Sequence, residues 1–266
     1  MNKDLVSVIV PVKDREAEVI NSVKSILDQS HRWIEIIVVE NNSRCPSAIR
    51  TAIESLDDER VLFFSVQPCV NANMARNYGV RKSSGEYVAF LDSDDCYEQD
   101  HIESSLRLIK SKDKKFLYGA SRVWDGENFY IKKARFITKG EHYLDYFFGS
   151  NRAFASTPTF LVHRSVFDDV MWDEQLYRHQ DYDFFIACTS RYESVCKHEP
   201  SVIVNWKRGE ARVYHSKSMR VFYKKWFGFA KKEHKRKYAA SKIMLAKDNW
   251  DFFNVIYFLL VYMKCR

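Results

Sequence analysis

Gly85-Glu86-Tyr87-Val88-Ala89-Phe90-Leu91-Asp92-Ser93-Asp94-Asp95 runs from a turn, through an unbroken apolar strand, into three aspartates within four positions. A strand that is apolar without alternation is buried on both faces, as strands of parallel sheets are. In open parallel sheets, ligands bind outside the carboxyl ends of the strands, which is where Asp92, Ser93 and Asp94 fall. Two carboxylates one residue apart in a loop can face one cation. Oxygen donors of this kind suit Mg²⁺ or Mn²⁺, which in turn bind diphosphate oxygens. A helix cap or acidic turn is the plainer explanation for an aspartate after a strand, but a cap does not require three.

Upstream of this stretch, strand and helix patterns alternate. Leu5 to Val12, Ile34 to Val39 and Val61 to Val66 are apolar runs of strand length. Between them, Glu16 to Ser30 places apolar residues at 19, 20, 23, 26 and 27, which is helical spacing. Pro46 to Leu56 reads as a helix with proline in its first turn. Asn73 to Lys82 reads as a helix stopped by Ser83-Ser84-Gly85. Repeated βαβ units predict an α/β fold built on a doubly wound, mostly parallel sheet.

Downstream the pattern is less regular. Lys115 to Val123 and Phe129 to Ile137 read as strands flanking Asp125-Gly126; Thr159 to His163 and Val202 to Trp206 are further strands, and Asp181 to Tyr192 a helix. From about Ser216 the chain becomes helical, basic and aromatic. The predicted organisation is one domain over 1–216, in two halves (1–95 and 96–216), followed by a tail over 217–266.

The bulk numbers agree with one large domain plus an appendage. The chain has 266 residues, 46% hydrophobic, enough for a sizeable core. Its net charge of +7 is concentrated in one segment: eleven Lys or Arg between Lys217 and Lys247 face a single acid, Glu233, leaving a mildly acidic body. That distribution argues against a general nucleic-acid binder. The six cysteines form no CxxC pair or zinc-like spacing, which suggests a reducing compartment. No secretory leader is expected at the N-terminus, and the apolar run Val255 to Met263 is far below the roughly 20 residues that span a bilayer.

The strand-end loops offer a common set of recognition groups: Pro11, Asp14 and Arg15; Glu40 and Asn41; and Arg76 on the following helix. A uracil presents an N–H donor and carbonyl acceptors, which carboxylate, amide and guanidinium groups complement. A Gly-rich phosphate loop is missing after Val12, and neither GxGxxG nor GxxxxGK[ST] occurs, which counts against nucleotidyltransferases and dinucleotide-dependent oxidoreductases.

Val8-Ile9-Val10-Pro11-Val12, Ile36-Ile37-Val38-Val39-Glu40-Asn41-Asn42-Ser43, Met74-Ala75-Arg76-Asn77-Tyr78-Gly79 and the stretch Gly85 to Asp95 together resemble, in order and spacing, the family 2 glycosyltransferases of the GT-A fold, of the bacterial polysaccharide or O-antigen type. The resemblance implies an inverting transfer of a hexose or N-acetylhexosamine from a UDP-sugar to a saccharide hydroxyl. It places Pro11, Asp14 and Arg15 in the loop lining the nucleoside pocket, Glu40 and Asn41 at uracil and ribose, and Arg76 at uracil or diphosphate. Asp92 falls on the ribose side and Asp94 at the metal, Mn²⁺ or Mg²⁺. Asn41 stands where the family usually has a second acid, and Asn42 where it usually has glycine. Gln180-Asp181 resembles the family's Glu-Asp pair at a helix start, which makes Asp181 the general base. Asp183 is its rival, but residues two apart on a helix point roughly 200° apart, so only one faces the site. Thr157 and Trp172 fall where such enzymes build the acceptor side.

His179 and His215 read as polar surface groups. The tail, with Phe222, Trp226, Phe227, Phe229, Trp250, Phe252 and Phe253 among its cations, reads as interfacial helices on an anionic leaflet, the alternative being helices packed on the domain. The implied acceptor is then a lipid-linked oligosaccharide, and the implied location the cytoplasm at the inner face of the membrane. A non-catalytic binding protein retaining the fold is the competing reading.

Overall fold

The computed structural model describes residues 4–69, 71–138, 140–149, 151–206, 214–228 and 230–265. The first half alternates as its patterning requires: β1 (Val6–Val12), α1 (Glu16–Leu27), β2 (Ile34–Glu40), α2 (Pro46–Glu54), β3 (Val61–Ser65), α3 (Ala72–Lys82) and β4 (Tyr87–Phe90). Pro46 stands at the first turn of α2, where a missing N–H costs nothing. Asn71 caps α3 by accepting from the Met74 N–H at 3.0 Å.

The second half adds β5 (Cys96–Tyr97), α4 (His101–Ser111), β6 (Phe116–Gly119), β7 (Ser121–Trp124), β8 (Phe129–Lys132), α5 (Tyr143–Phe148), β9 (Leu161–His163), α6 (Gln180–Thr189), β10 (Ser194–Lys197) and β11 (Val202–Asn205). Three helices close the chain: α7 (Ser216–Trp226), α8 (Lys232–Asp248) and α9 (Phe252–Lys264).

Among the described residues the strands form a seven-stranded sheet, ordered β10-β6-β9-β4-β1-β2-β3, and a four-stranded sheet, β5-β11-β7-β8. From β4 to β3 all pairings are parallel. β9 is antiparallel to both β4 and β6, and β10 returns parallel to β6. The mostly parallel, doubly wound α/β sheet expected from the sequence is therefore present.

β1 is buried along its whole length, and its side chains alternate between two apolar layers. Val8 and Val10 join Val19 and Val23 of α1, Ile49 of α2 and Ile102 of α4 on one face. Ile9 lies on the other face with Ala75 of α3 and Phe184 of α6. A strand buried on both sides needs no polar alternation, which is why it reads as a continuous apolar run.

Two expectations are corrected. Lys115 to Val123 is two strands, because at Ala120 the chain steps from one sheet to the other. The Ala120 N–H bonds Lys197 O at 2.9 Å, while β7 pairs with β8 and β11. Phe129 to Ile137 is strand only as far as Lys132; its turn is the expected one, with Gly126 at φ +100°.

The tail does not lie apart from the domain. Met219, Phe222, Phe227, Tyr238 and Phe258 are buried in the same apolar layer as Trp172 and Phe184. Phe229 lies outside the described residues.

Gly85 sits where strands and turn meet most closely. A β-carbon there would stand 2.6 Å from the Leu5 carbonyl oxygen and 2.8 Å from the Ser7 nitrogen. Since backbone must move to admit it, Gly85→Ala is expected to lower unfolding stability by about 1–3 kcal/mol, measurable as a fall in the urea midpoint at unchanged m-value.

Candidate active site

β4 runs out at Phe90, and the chain stays pinned to β1 for one more residue, the Leu91 N–H donating to Ile9 O at 3.0 Å. The acidic loop follows. Asp92 accepts from Arg76 Nη2 at 2.6 Å, and Asp94 pairs with Arg15 Nη1, also at 2.6 Å. Ser93 is buried between them. Asp95 points inward and accepts from the Asn205 N–H at 2.9 Å. Burial, followed by the charges of Asp92 and Asp94, pushes the Asp95 carboxyl well above the usual carboxylate range. Asn205 also donates through its side chain to Asp94 O, so β11 holds the loop from below.

The loop's hard oxygen donors and mutual repulsion suit Mg²⁺ or Mn²⁺. Among the described residues no cluster of three or more His, Cys, Asp or Glu is arranged to hold a metal ion. Asp92 and Asp94 offer two carboxylates, each already paired with an arginine.

Arg76 is almost fully buried, and its guanidinium is shared by three elements. Nη1 donates to Asn73 Oδ1 at 3.0 Å and to Gln180 Oε1 at 3.2 Å, while Nη2 holds Asp92. Its cation lies 4.7 Å from the centre of the Trp172 ring. Arg76 thereby ties the acidic loop, through Asp92, to the start of α6, through Gln180. Trp172 is corrected too. It is 2% exposed, stacked on Phe184 at 4.1 Å, and offers no face to an acceptor sugar.

The two aspartates of α6 separate cleanly. Asp181 accepts from Thr157 Oγ1 at 2.7 Å. Burial, then the Asp92 charge, raise its carboxyl above the ordinary range, against the bond from Thr157 and the charges of Arg76 and Lys132. Thr157 is itself buried, so it positions Asp181 instead of lining an acceptor surface. Asp183 faces the other way: it accepts from Trp226 Nε1 at 2.7 Å and pairs with Lys225 Nζ at 2.9 Å, which fastens α7 to α6.

The nucleoside-side residues are brought to one edge, with two corrections. Pro11 is not in the loop; it is buried inside β1, opposite Val39. Glu40 is fully buried, and its two carboxylate oxygens accept from the Ser43 N–H and the Ser65 hydroxyl, each at 2.5 Å. It shapes the turn it begins. Asn41 is buried beside it, its N–H donating to Val12 O at 2.9 Å. Asn42 has φ +65°, in the left-handed region where asparagine is enriched over other non-glycine residues. Asp14 joins this turn to the loop after β1, receiving the Arg44 N–H at 2.7 Å while its own N–H donates to Ser43 Oγ at 3.1 Å.

The histidines are not simple surface groups. His179 packs against Phe222 at 4.8 Å, and burial pushes its pKa well below the usual value. His215 stacks on Tyr177 at 4.0 Å and caps α7 through the Ser218 N–H. Sequence reasoning missed Asn205 and Asn73. Asn205 lay inside a strand already recognised, but nothing in its spacing announces which loop it meets.

A mostly parallel α/β sheet thus gathers acidic, amide and guanidinium groups at the carboxyl ends of its central strands. The model of Glycosyl transferase family 2 matches residues 7–171, and the chain belongs to that family. It is 26% identical over 188 residues to the amylovoran biosynthesis glycosyltransferase AmsB of Erwinia amylovora, spanning 68% of this chain and 62% of that relative. It is 30% identical over 190 residues to a glycosyltransferase of Haemophilus influenzae, spanning 71% and 73%. The fold is that of S. aureus TarS residues 1–349, solved in complex with UDP-GlcNAc. The TM-score is 0.68 at 17% identity, over 90% of this chain and 66% of that one.

Because the Arg76 fork joins α3, the acidic loop and α6, Arg76→Lys is expected to cost about 1–3 kcal/mol by leaving Asp92 or Gln180 unpaired. Thermal unfolding of the variant against the parent protein measures it.

Proposed function

We propose that the chain is an inverting glycosyltransferase that moves a hexose or N-acetylhexosamine from a UDP-sugar to a hydroxyl of a saccharide acceptor. The observation that carries this reading is that Asp181 follows Gln180, which shares the Arg76 guanidinium with Asp92 of the acidic loop. One carboxyl is held half-buried with a raised pKa, while the other two stand at the strand end where a diphosphate would lie.

Asp181 accepts the proton of the acceptor hydroxyl as that oxygen bonds to the anomeric carbon. The bond from the anomeric carbon to the diphosphate oxygen breaks, its electron pair leaving with UDP. One displacement inverts the anomeric centre. Thr157 fixes the carboxylate for this attack. Mg²⁺ or Mn²⁺, held by Asp92 and Asp94, would supply positive charge against the diphosphate. Arg15, paired with Asp94 and part-exposed, adds a cation on the same side. Asn41, at the turn after β2, would read the base through its amide.

The acceptor we assign is a lipid-linked oligosaccharide used in surface polysaccharide synthesis, handled in the cytoplasm at the inner face of the membrane. The similarity to a relative named for amylovoran biosynthesis supports the polymer class. Among the described residues no helix is long and apolar enough to cross a membrane.

Asp181→Asn is expected to lower kcat by about 10²–10⁴-fold while UDP binding, read by calorimetry, is retained. Near-normal turnover would move the base elsewhere. A base works only when deprotonated, and the Asp181 carboxyl titrates above the ordinary range. The acid limb of kcat/KM is therefore expected to fall at a pH above that of an ordinary aspartate. Asp183→Asn should keep that limb, since its carboxylate is bonded to Trp226 and Lys225.

A further inference from the structure

The last helix leaves an apolar face uncovered. Phe252, Phe253, Ile256, Leu259, Leu260 and Met263 are all exposed, and at 100° per residue they fall within an arc of about 120°. The opposite side of α9 carries the buried Asn254 and Phe258. Trp250, at the turn before the helix, is 80% exposed and extends the stripe. An apolar patch of this continuity on a soluble surface marks a contact site.

Cations border the stripe. The Arg220 guanidinium lies 5.0 Å from the centre of the Phe253 ring. Lys232, Lys235 and Lys264 line, with Tyr257 and Leu260, a cavity of about 460 Å³ at its edge. From Lys217 to Lys264 the chain carries twelve Lys or Arg and three acids. Two of the acids are engaged: Glu233 pairs with Lys237, and Asp251 caps α9 and accepts from Tyr214. A second copy of the chain would bring the same cations against these. An anionic surface with an apolar interior complements both features.

We propose that α9 docks on an anionic phospholipid leaflet, its stripe entering the acyl region and the lysine-lined cavity taking headgroup phosphates. The docking plane is tied to the candidate base. α9 packs on α8, where Phe258 meets Tyr238, and on α7, where Phe258 meets Tyr223; the Lys225 and Trp226 of α7 grip Asp183 on α6. A protein so docked holds its acceptor cleft at a fixed height above the leaflet. The membrane contact itself does not rest on the transfer reaction.

The test is flotation of the full chain with phosphatidylglycerol-rich vesicles and with pure phosphatidylcholine vesicles. The protein is expected to float with the anionic vesicles and to be released by salt. Ile256→Asp combined with Leu260→Asp changes only exposed positions and should lower the floated fraction at least about tenfold. Lys232→Glu combined with Lys264→Glu should do the same while leaving the apolar stripe whole. Unaltered melting temperature and UDP binding certify that each variant is folded. Equal flotation of parent and both variants, or equal flotation on neutral and anionic vesicles, overturns the proposal. So does a dimer in sedimentation that Ile256→Asp with Leu260→Asp dissociates while no vesicle floats the protein, which would assign the stripe to a second copy.

Discussion

A guanidinium buried between a sheet and a helix has to be neutralised where it stands, because an unpaired charge there would cost several kcal/mol. Arg76 meets that requirement with partners from three places in the chain: Asn73 one turn back, Asp92 after β4 and Gln180 at the start of α6. Its underside rests on Trp172, which stacks on Phe184 and meets Phe90 edge to face in the core. The acidic loop and the start of α6 are separated by some ninety residues of chain, yet they are held to one cation. Everything chemical at this edge of the sheet inherits that spacing.

The same helix shows how neighbours divide similar groups between different tasks. Asp181 and Asp183 are both lifted above the usual carboxylate range by burial. Asp183 is satisfied by Lys225 and Trp226, and serves to join the closing helices to the body. Among the described residues Asp181 has one neutral donor, Thr157, and a second carboxylate, Asp92, in its field. A carboxyl held by a neutral hydroxyl and with a raised proton affinity is suited to take a proton. A group with a cation and an indole on it is suited to stay put.

The first ninety residues were legible because their periodicity is local: β1 to β4 and α1 to α3 lie within one or two residues of the apolar and helical runs that announce them, except where helix ends fray. The acidic loop was legible for the same reason, as a strand followed directly by its carboxylates. The second half was not, since its contacts join distant segments. α4 shows helical spacing at Ile102, Leu106 and Ile109 but is diluted by serines and cations, and α5 is only six residues long. The step at Ala120 is invisible in an apolar run that simply changes sheets. Trp172 and Phe222 look like surface aromatics until their burial is known, because sequence records hydrophobicity and not what covers it. Glu40 illustrates the reverse: a carboxylate at a strand end suggested a ligand contact, but its partners, Ser43 and Ser65, close on it from inside the fold.

The placement of β9 governs when this molecule can come into being. Its three residues, Leu161 to His163, fill the gap between β4 and β6, antiparallel to both. A growing chain therefore carries β4 with one edge unsatisfied until some seventy further residues have been synthesised. The β3-β2-β1-β4 unit can assemble early from near neighbours in sequence, whereas β6 and β10 have no seat in the sheet before β9 arrives. Such long-range pairings are slow because loop closure precedes any gain from contact. During translation the exposed border of β4 is thus the segment most in need of protection from other nascent chains.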